Sequence, residues 1–569
     1  MAQSVSTISR ETEAPAAPIA AGHRSPWSPK VAQEVFICMS LGNLCFLTRW
    51  YDLEHLKDPA MDYYRSAPVN PTLSAATFVS ASLLAVMFLA AWLWVKRTPT
   101  RAKLLTARCG FLLVLICVLE SVRRYWNRES VQPDLGSNIA LLVIELILVS
   151  GLVLTTFGNT GVLNMARRVV LLLTLLFPFF AIDLIWARVT SPTASEFAPR
   201  SPLPMLLKLR PELKKKHVLW LLFDEFDQRM AFDLRQPAGD LAALDRLRAE
   251  SLVATQAHQT AGFTTMAVPC LLSGRLFSRV DVIDANTLNV YAGDSSPGTN
   301  WHDQPNVFKR ARELGVNAEL VGWHHPYCRM LGDSLVRCLD VPTGAPTDAM
   351  LAETSAADGG IPREVPYLSR LQLTDLVNIF RFKGDSATAV SQDEYMQQRQ
   401  QQQYVRIRDA VYTDITDPRI GLLFAHFPTP HLFGIYNRKR KDFTLDDTLS
   451  YADNLALVDR TVGEIRQILE QADLWDSTTL LITSDHGFRP SMWRGRLGWN
   501  DELEKLTAPG RSETVPFIVK LPGQTQGRVF REPFSNVVSA DLVLAILNGQ
   551  ISTYQDASDW LAKNVNPDR

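Results

Sequence analysis

The chain has 569 residues, a formal net charge of −1 and 47% hydrophobic residues. That length exceeds one typical domain, and the balanced charge excludes a nucleic-acid partner held by a basic surface. Apolar runs crowd the first third, which excludes an ordinary soluble protein.

In chain order, residues 1–26 are rich in Ala, Ser, Thr, Pro and Glu and lack apolar periodicity, so 1–30 reads as a disordered cytoplasmic tail. Residues 31–188 then read as a transmembrane domain of five helices. Its spans fall at about 31–48, 73–95, 104–122, 138–157 and 169–187, each near the roughly 20 residues that cross a bilayer. No small-residue cleavage site follows a short apolar core, so these are retained spans and not a signal peptide. Nine basic residues in the tail and the 96–103 and 158–168 loops outweigh six in the alternating loops. The bias puts the N-terminus inside and everything after about 190 outside. For a bacterial chain this means a multi-pass inner-membrane protein whose second half faces the periplasm or the exterior. Arg108, Glu120, Glu145 and Asp183 lie within spans and are expected to face other helices or a wet cavity.

Residues 189–216 form a Pro-rich linker ending in Lys214, Lys215 and Lys216, which suit lipid headgroups or plain solvent. From 217 to 569 strands and helices alternate, which predicts an α/β domain with a mostly parallel sheet covered on both faces. Cys328 and Cys338, ten residues apart in this exported part, are a candidate disulfide. Residues 341–362 read as a long loop, and the Gln-rich stretch 397–403 as part of a surface helix.

Four apolar runs of this domain end in acid–base or metal-type side chains. "HVLWLLFDEFD" ends on Asp224 and Glu225, and "AELVGWHH" on His324 and His325. "IGLLFAHFPTPH" carries His426 and His431, and "TTLLITSDHG" ends on Asp485 and His486. Each pair alone has a plain reading as a capped turn with a satisfied histidine. Together they predict strand ends converging at one sheet edge. Two carboxylates and an imidazole from separate strands suit a divalent cation, Zn²⁺ or Mn²⁺, as one ion or two. His324 and His325 either hold a second metal or the substrate, or are one buried and one solvated ring. Arg489, Trp493 and Arg494, just past His486, either contact substrate or line the surface. In "QTAGFTTMAVPCLLSGR" (259–275) a turn feeds a buried helix. A threonine there either puts its oxygen on the metal as a nucleophile or caps the helix.

The strand ending in Asp224, the Thr264 segment with Pro269 and "LLSGR", then "HFPTPH" and "SDHG", resemble in that order the alkaline phosphatase superfamily in its sulfatase-like branch. With five preceding spans the chain is similar to that branch's membrane-anchored transferases, the lipoteichoic acid synthases and lipid A phosphoethanolamine transferases. The resemblance implies that Asp224, Thr264, Asp485 and His486 bind one catalytic cation, with Glu225 as an extra ligand. It makes Thr264, ten residues before Gly274, the nucleophile. It gives His426 and His431 the role of holding substrate or protonating the leaving group, and Arg329 that of a phosphate ligand. "TTMAV" (264–268) lacks the Cys or Ser, Pro and Arg pattern that true sulfatases convert to formylglycine, so classical sulfatase chemistry is not expected. The implied activity transfers a substituted phosphoryl group, of phosphoethanolamine or glycerophosphate type, from a phospholipid donor to a glycan or lipid acceptor through a phosphothreonine. The alternative is a membrane-anchored hydrolase of phosphoesters, phosphodiesters or sulfate esters.

Overall fold

The computed structural model describes residues 29–55, 58–68, 72–129, 135–176, 192–206, 217–235, 241–293, 295–343, 360–377, 392–431, 433–446, 448–494 and 498–564, with isolated positions between 177 and 190. The expected tail (1–28 of it), most of the long loop and the three linker lysines lie outside these residues.

The N-terminal part is helical. Helix α1 (Pro29–Cys45) bends by 60° into α2 (Leu47–His55), and α3 (Thr72–Arg97), α4 (Arg101–Glu129), α5 (Leu135–Thr156) and α6 (Gly161–Leu172) follow. Among the described residues three helices are long and apolar enough to cross a membrane, or four if the bent α1–α2 pair is one span. The sequence expects five. The fifth, 169–187, begins inside α6 and runs largely into residues outside the description. Large apolar side chains such as Leu83, Met87, Leu146 and Val153 face outward, as a lipid-facing helix requires. Three of the acidic groups in these helices are paired: Glu120 meets Arg123 at 2.6 Å, Glu145 lies 3.9 Å from the same guanidinium, and Glu34 pairs with Arg167, whereas Arg108 is exposed and Asp183 lies outside the described residues.

The second part is built on an eight-stranded sheet. Its strands are β1 (His217–Phe223), β2 (Leu252–Ala254), β3 (Ala318–His324), β4 (Arg337–Pro342), β5 (Leu422–Phe427), β6 (Thr478–Ser484), β7 (Phe517–Lys520) and β8 (Arg528–Phe530). Their spatial order is β8-β2-β7-β6-β1-β5-β3-β4. All neighbours are parallel except β7, which runs against both β6 and β2. Along β1 the side chains alternate between two cores. Val218, Trp220 and Leu222 pack with α7 (Thr264–Ser273) and with Leu542 and Val543 of a C-terminal helix. Leu219, Leu221 and Phe223 pack with α9 (Gln392–Asp414) and α10 (Tyr451–Gln471). A strand buried on both faces has no polar alternation to show, which is why β1 reads as one continuous apolar run.

Two stretches are held more tightly than their composition suggests. Of the linker, residues 192–206 lie along the sheet domain, with Arg200 and Leu203 donating their N–H groups to the carbonyls of Cys328 and Leu335. The Gln-rich face of α9 is buried: Gln397, Gln400 and Gln403 are each at most 6% exposed. Spaced three apart, they share one helix face and hydrogen-bond backbone carbonyls of the segment that follows β5 and of β4. Between α9 and β4 lies α8 (Ile361–Val377), whose Leu368 and Leu376 pack among Cys45, Phe46, Trp50, Leu73 and Ala76 of the membrane helices.

Candidate active site

Parallel pairing of β1 with β6 places Phe223 opposite Ser484, so Asp224 and Asp485 leave the sheet side by side. Ser484 fastens the two ends. Its Oγ donates to the Phe223 carbonyl at 2.7 Å and accepts from the Phe226 N–H at 2.9 Å. β5 lies on the other side of β1, in register Leu222↔His426, and brings His426 to the same edge.

Thr264 is the first residue of α7. The residue before it, Phe263, is extended and makes no side-chain cap, so the capping alternative is not realised. The Thr264 hydroxyl instead lies 3.2 Å from His486 Nε2 and 3.5 Å from Asp224 Oδ2. α7 ends on Gly274 at φ 66°, a left-handed closure that favours glycine.

Asp224, Asp485 and His486 each offer a ligand atom within 4.8 Å of the others, and all three are at most 1% exposed. The residues present fit a divalent cation on three counts. Asp224 Oδ1 and Asp485 Oδ2 are buried without hydrogen-bond partners, a costly state for carboxylate oxygens. Burial, then the charges of Asp485 and Glu225, push the Asp224 carboxyl well above its usual range, a cost that a cation between the carboxylates would relieve. His486 Nδ1 faces the Gly487 carbonyl at 3.0 Å, which leaves the Nε2 lone pair turned to the cluster. The donor set of carboxylate, imidazole and hydroxyl suits Zn²⁺ or Mn²⁺.

Two expected site residues stand elsewhere. Glu225 adopts a left-handed φ of 60°, and its carboxylate accepts from Arg489 Nε at 2.6 Å and Trp493 Nε1 at 2.9 Å. It is not part of the ligand cluster; it supports Arg489. Arg329 donates to the carbonyls of Asp62, Tyr63 and Arg65 at 3.2, 2.8 and 2.7 Å and stacks on Phe197. Those bonds take up its Nη2. Next to it Cys328 and Cys338 are joined by a disulfide, with Cα atoms 5.6 Å apart.

The histidines line the edge. His426 Nδ1 meets the Tyr327 hydroxyl at 2.8 Å while its Nε2 is buried without a partner. Burial pushes its pKa down to about 4, so at neutral pH the ring is uncharged. His431 is half-buried, edge-on to Trp493 at 4.5 Å and to Trp323 at 5.6 Å. His324 and His325 are both held by hydrogen bonds, to Thr265 and Thr343 and to Tyr63 and Thr264 respectively. His325 is fully buried and His324 only partly so. Arg489, only 16% exposed at its side chain, is the basic group at the cluster. Its burial sets aside the surface-lining reading of Arg489.

Gly322 in β3 controls the approach of Tyr327: a Cβ there would fall 2.3 Å from the Tyr327 ring. Gly322→Ala is expected to cost about 1–3 kcal/mol, as overpacking does, and to displace His426 through its bond to Tyr327. Urea unfolding measures the first effect.

The sequence matches a family model, type I phosphodiesterase / nucleotide pyrophosphatase, over residues 218–524. No curated protein matches it significantly. Similar solved structures include Ps i-CgsB in complex with k-i-k-neocarrahexaose, at 16% identity and TM-score 0.40, covering 62% of this chain and 77% of that one. The lipoteichoic acid synthase LtaP from Listeria monocytogenes matches at 11% and 0.37, covering 60% and 75%. The phosphonate monoester hydrolase of Agrobacterium radiobacter matches at 14% and 0.34, covering 58% and 74%. Likeness at this level carries no assignment of activity. The match over 218–524 spans the whole path from β1 through Thr264 to the turn after β7, and by it the chain belongs to the type I phosphodiesterase / nucleotide pyrophosphatase family.

Proposed function

We propose that this protein is a membrane-anchored, metal-dependent transferase that moves a substituted phosphoryl group from a phospholipid to a glycan or lipid hydroxyl through a phosphothreonine at Thr264. The observation that carries the reading is the placement of the Thr264 hydroxyl beside Asp224 and His486, at the mouth of a buried cluster fit for a cation. Asp224, Asp485, His486 and Thr264 would hold the cation, which would supply Lewis-acid charge and lower the pKa of the Thr264 hydroxyl.

The chain's own residues do the rest. Thr264 Oγ forms the new P–O bond as the bond to the departing diacylglycerol oxygen breaks. The hydroxyl proton leaves with that alcohol, passed through His431 or His426. The helix N-terminus at Thr264 and the Arg489 guanidinium offset the phosphoryl charge. An acceptor hydroxyl then reverses the sequence and frees Thr264. The apolar helices keep this site near headgroups, in a bacterial inner membrane with the sheet domain outside.

A hydrolase with the same first half and water as acceptor is the second reading, and the phosphodiesterase description of the matched family favours it. Intact-mass spectrometry of the full chain, incubated with phosphatidylethanolamine and phosphatidylglycerol vesicles and Mn²⁺, tests the shared step. An acid-trapped adduct is expected whose mass gives the head group. No adduct and no lipid turnover, with metal bound, overturns the lipid-donor reading. Steady release of free head-group phosphate without an acceptor selects the hydrolase.

Arg489→Ala is expected to raise the KM for a soluble phosphodiester such as bis(4-nitrophenyl) phosphate by roughly 10-fold or more, because a charge-assisted contact to the anion is lost. Steady-state kinetics of Arg489→Ala beside Arg489→Lys checks this, with the lysine variant in between.

A further inference from the structure

The loop between α2 and α3 belongs in sequence to the membrane helices, yet in space it belongs to the active site. We propose that this loop, Asp58–Pro68, supplies Tyr64 to the Thr264 site as a positioning residue, so that the site is complete only with the membrane helices docked on the sheet domain. The proposal rests on the reading of Thr264 given above.

The loop starts with a short helix, Pro59–Asp62, capped by Asp58. Tyr63 follows, is 0% exposed, and sits in the sheet domain's own core beside Trp301 and Tyr327. Two hydrogen-bond relays run from the loop into the first turn of α7. In one, the Tyr63 hydroxyl meets His325 Nδ1 at 2.9 Å and His325 Nε2 meets the Thr264 carbonyl at 3.2 Å. In the other, the Tyr64 hydroxyl meets Thr265 Oγ1 at 3.0 Å, and that oxygen meets His324 Nε2 at 3.1 Å. The first relay fixes the peptide of Thr264 and the second fixes the side chain next to it.

Arg329 locks the loop in place. Its guanidinium donates to three loop carbonyls, and Arg65 closes the loop on Asp62 at 2.6 Å. Placing a buried cation on neutral carbonyls is expensive, and what it secures is the position of Tyr63 and Tyr64. A second clasp lies at α8: Glu364 accepts from Thr72 Oγ1 at 2.7 Å, and Gln372 accepts from Thr48 Oγ1 at 3.2 Å. A helix end held from both sides fits the need for a nucleophile placed to within a fraction of an ångström.

The arrangement also constrains topology. Three helices of spanning length, α3 to α5, separate the loop from the sheet domain. For both to meet on one side of a bilayer, the chain crosses once more between Thr156 and His217, where the sequence places its fifth span.

The test uses full-length protein in lipid nanodiscs with Mn²⁺, comparing wild type, Tyr64→Phe, Tyr63→Phe and Thr264→Ala by hydrogen exchange of the 264–273 and 478–484 peptides and by kinetics on bis(4-nitrophenyl) phosphate. For Tyr64→Phe the proposal expects exchange roughly 10-fold faster in 264–273, as for one lost hydrogen bond, with 478–484 unchanged and Mn²⁺ still bound. It expects kcat to fall roughly 10- to 100-fold with KM held. Unchanged exchange at 264–273 in both tyrosine variants overturns it, whether or not the probe is turned over. Equal acceleration in 478–484 marks general destabilisation and overturns it too. Turnover retained in Thr264→Ala, by contrast, sinks the nucleophile reading and leaves the docking result to the exchange data.

Discussion

Thr264→Ala is expected to lower turnover of lipid and of soluble phosphodiesters by at least ~10³-fold, in line with the loss of a covalent nucleophile. The hydroxyl makes no capping bond, and its contacts to His486 Nε2 and Asp224 Oδ2 are long, 3.2 and 3.5 Å, so its removal takes away little stability. A melting temperature within a few degrees of wild type is the companion result. Thr264→Ser keeps an oxygen at the same position and is expected to retain part of the activity. The measurement is single-turnover kinetics with acid quench: wild type and Thr264→Ser accumulate a protein-bound phosphoryl group, and Thr264→Ala does not. Full turnover by Thr264→Ala would show that water attacks phosphorus directly.

Asp224→Asn separates the metal's contribution from the fold's. In metal-free protein Asp224 faces Asp485 in a buried cluster, with the Glu225 charge outside it but near, and burial with that repulsion raises its pKa in the folded state. A carboxyl raised on folding binds more protons folded than unfolded. Stability is therefore fully present below the ordinary carboxylate range near pH 4 and is lost as pH rises toward the folded pKa. With chelator at neutral pH, Asp224→Asn is expected to be the more stable protein, by on the order of 1–3 kcal/mol, and to lose that slope. With Mn²⁺ or Zn²⁺ the order reverses. Wild type gains about 4.1 kcal/mol at a roughly 1,000-fold excess over Kd, and Asp224→Asn gains little. Thermal unfolding from pH 5 to 8, with chelator and with metal, reads both. A wild type indifferent to divalent metal would leave the two unpartnered carboxylate oxygens without their explanation.

What the sequence determined by itself is local. The runs leading to Asp224, His324, His426 and Asp485 are largely apolar because each strand is buried on both faces, and their polar terminators mark the edge where they converge. Spans were legible for the same reason, since length and apolarity are properties of one segment. The tertiary structure decided what depends on segments far apart. The Tyr64 hydroxyl meets Thr265 across 201 residues, and Tyr63 meets His325 across 262; no periodicity encodes such a pairing. Glu225 stands next to Asp224, yet its left-handed backbone turns it to Arg489 and away from the cluster. Arg329 carries the charge of a phosphate ligand, but its neighbours are the carbonyls of a loop from the membrane helices. Residue type fixes which bonds a side chain can make. Only packing decides which partner is within about 3 Å, and that selected the Asp224–Asp485–His486 cluster, the orientation of the Thr264 hydroxyl and the loop beside it.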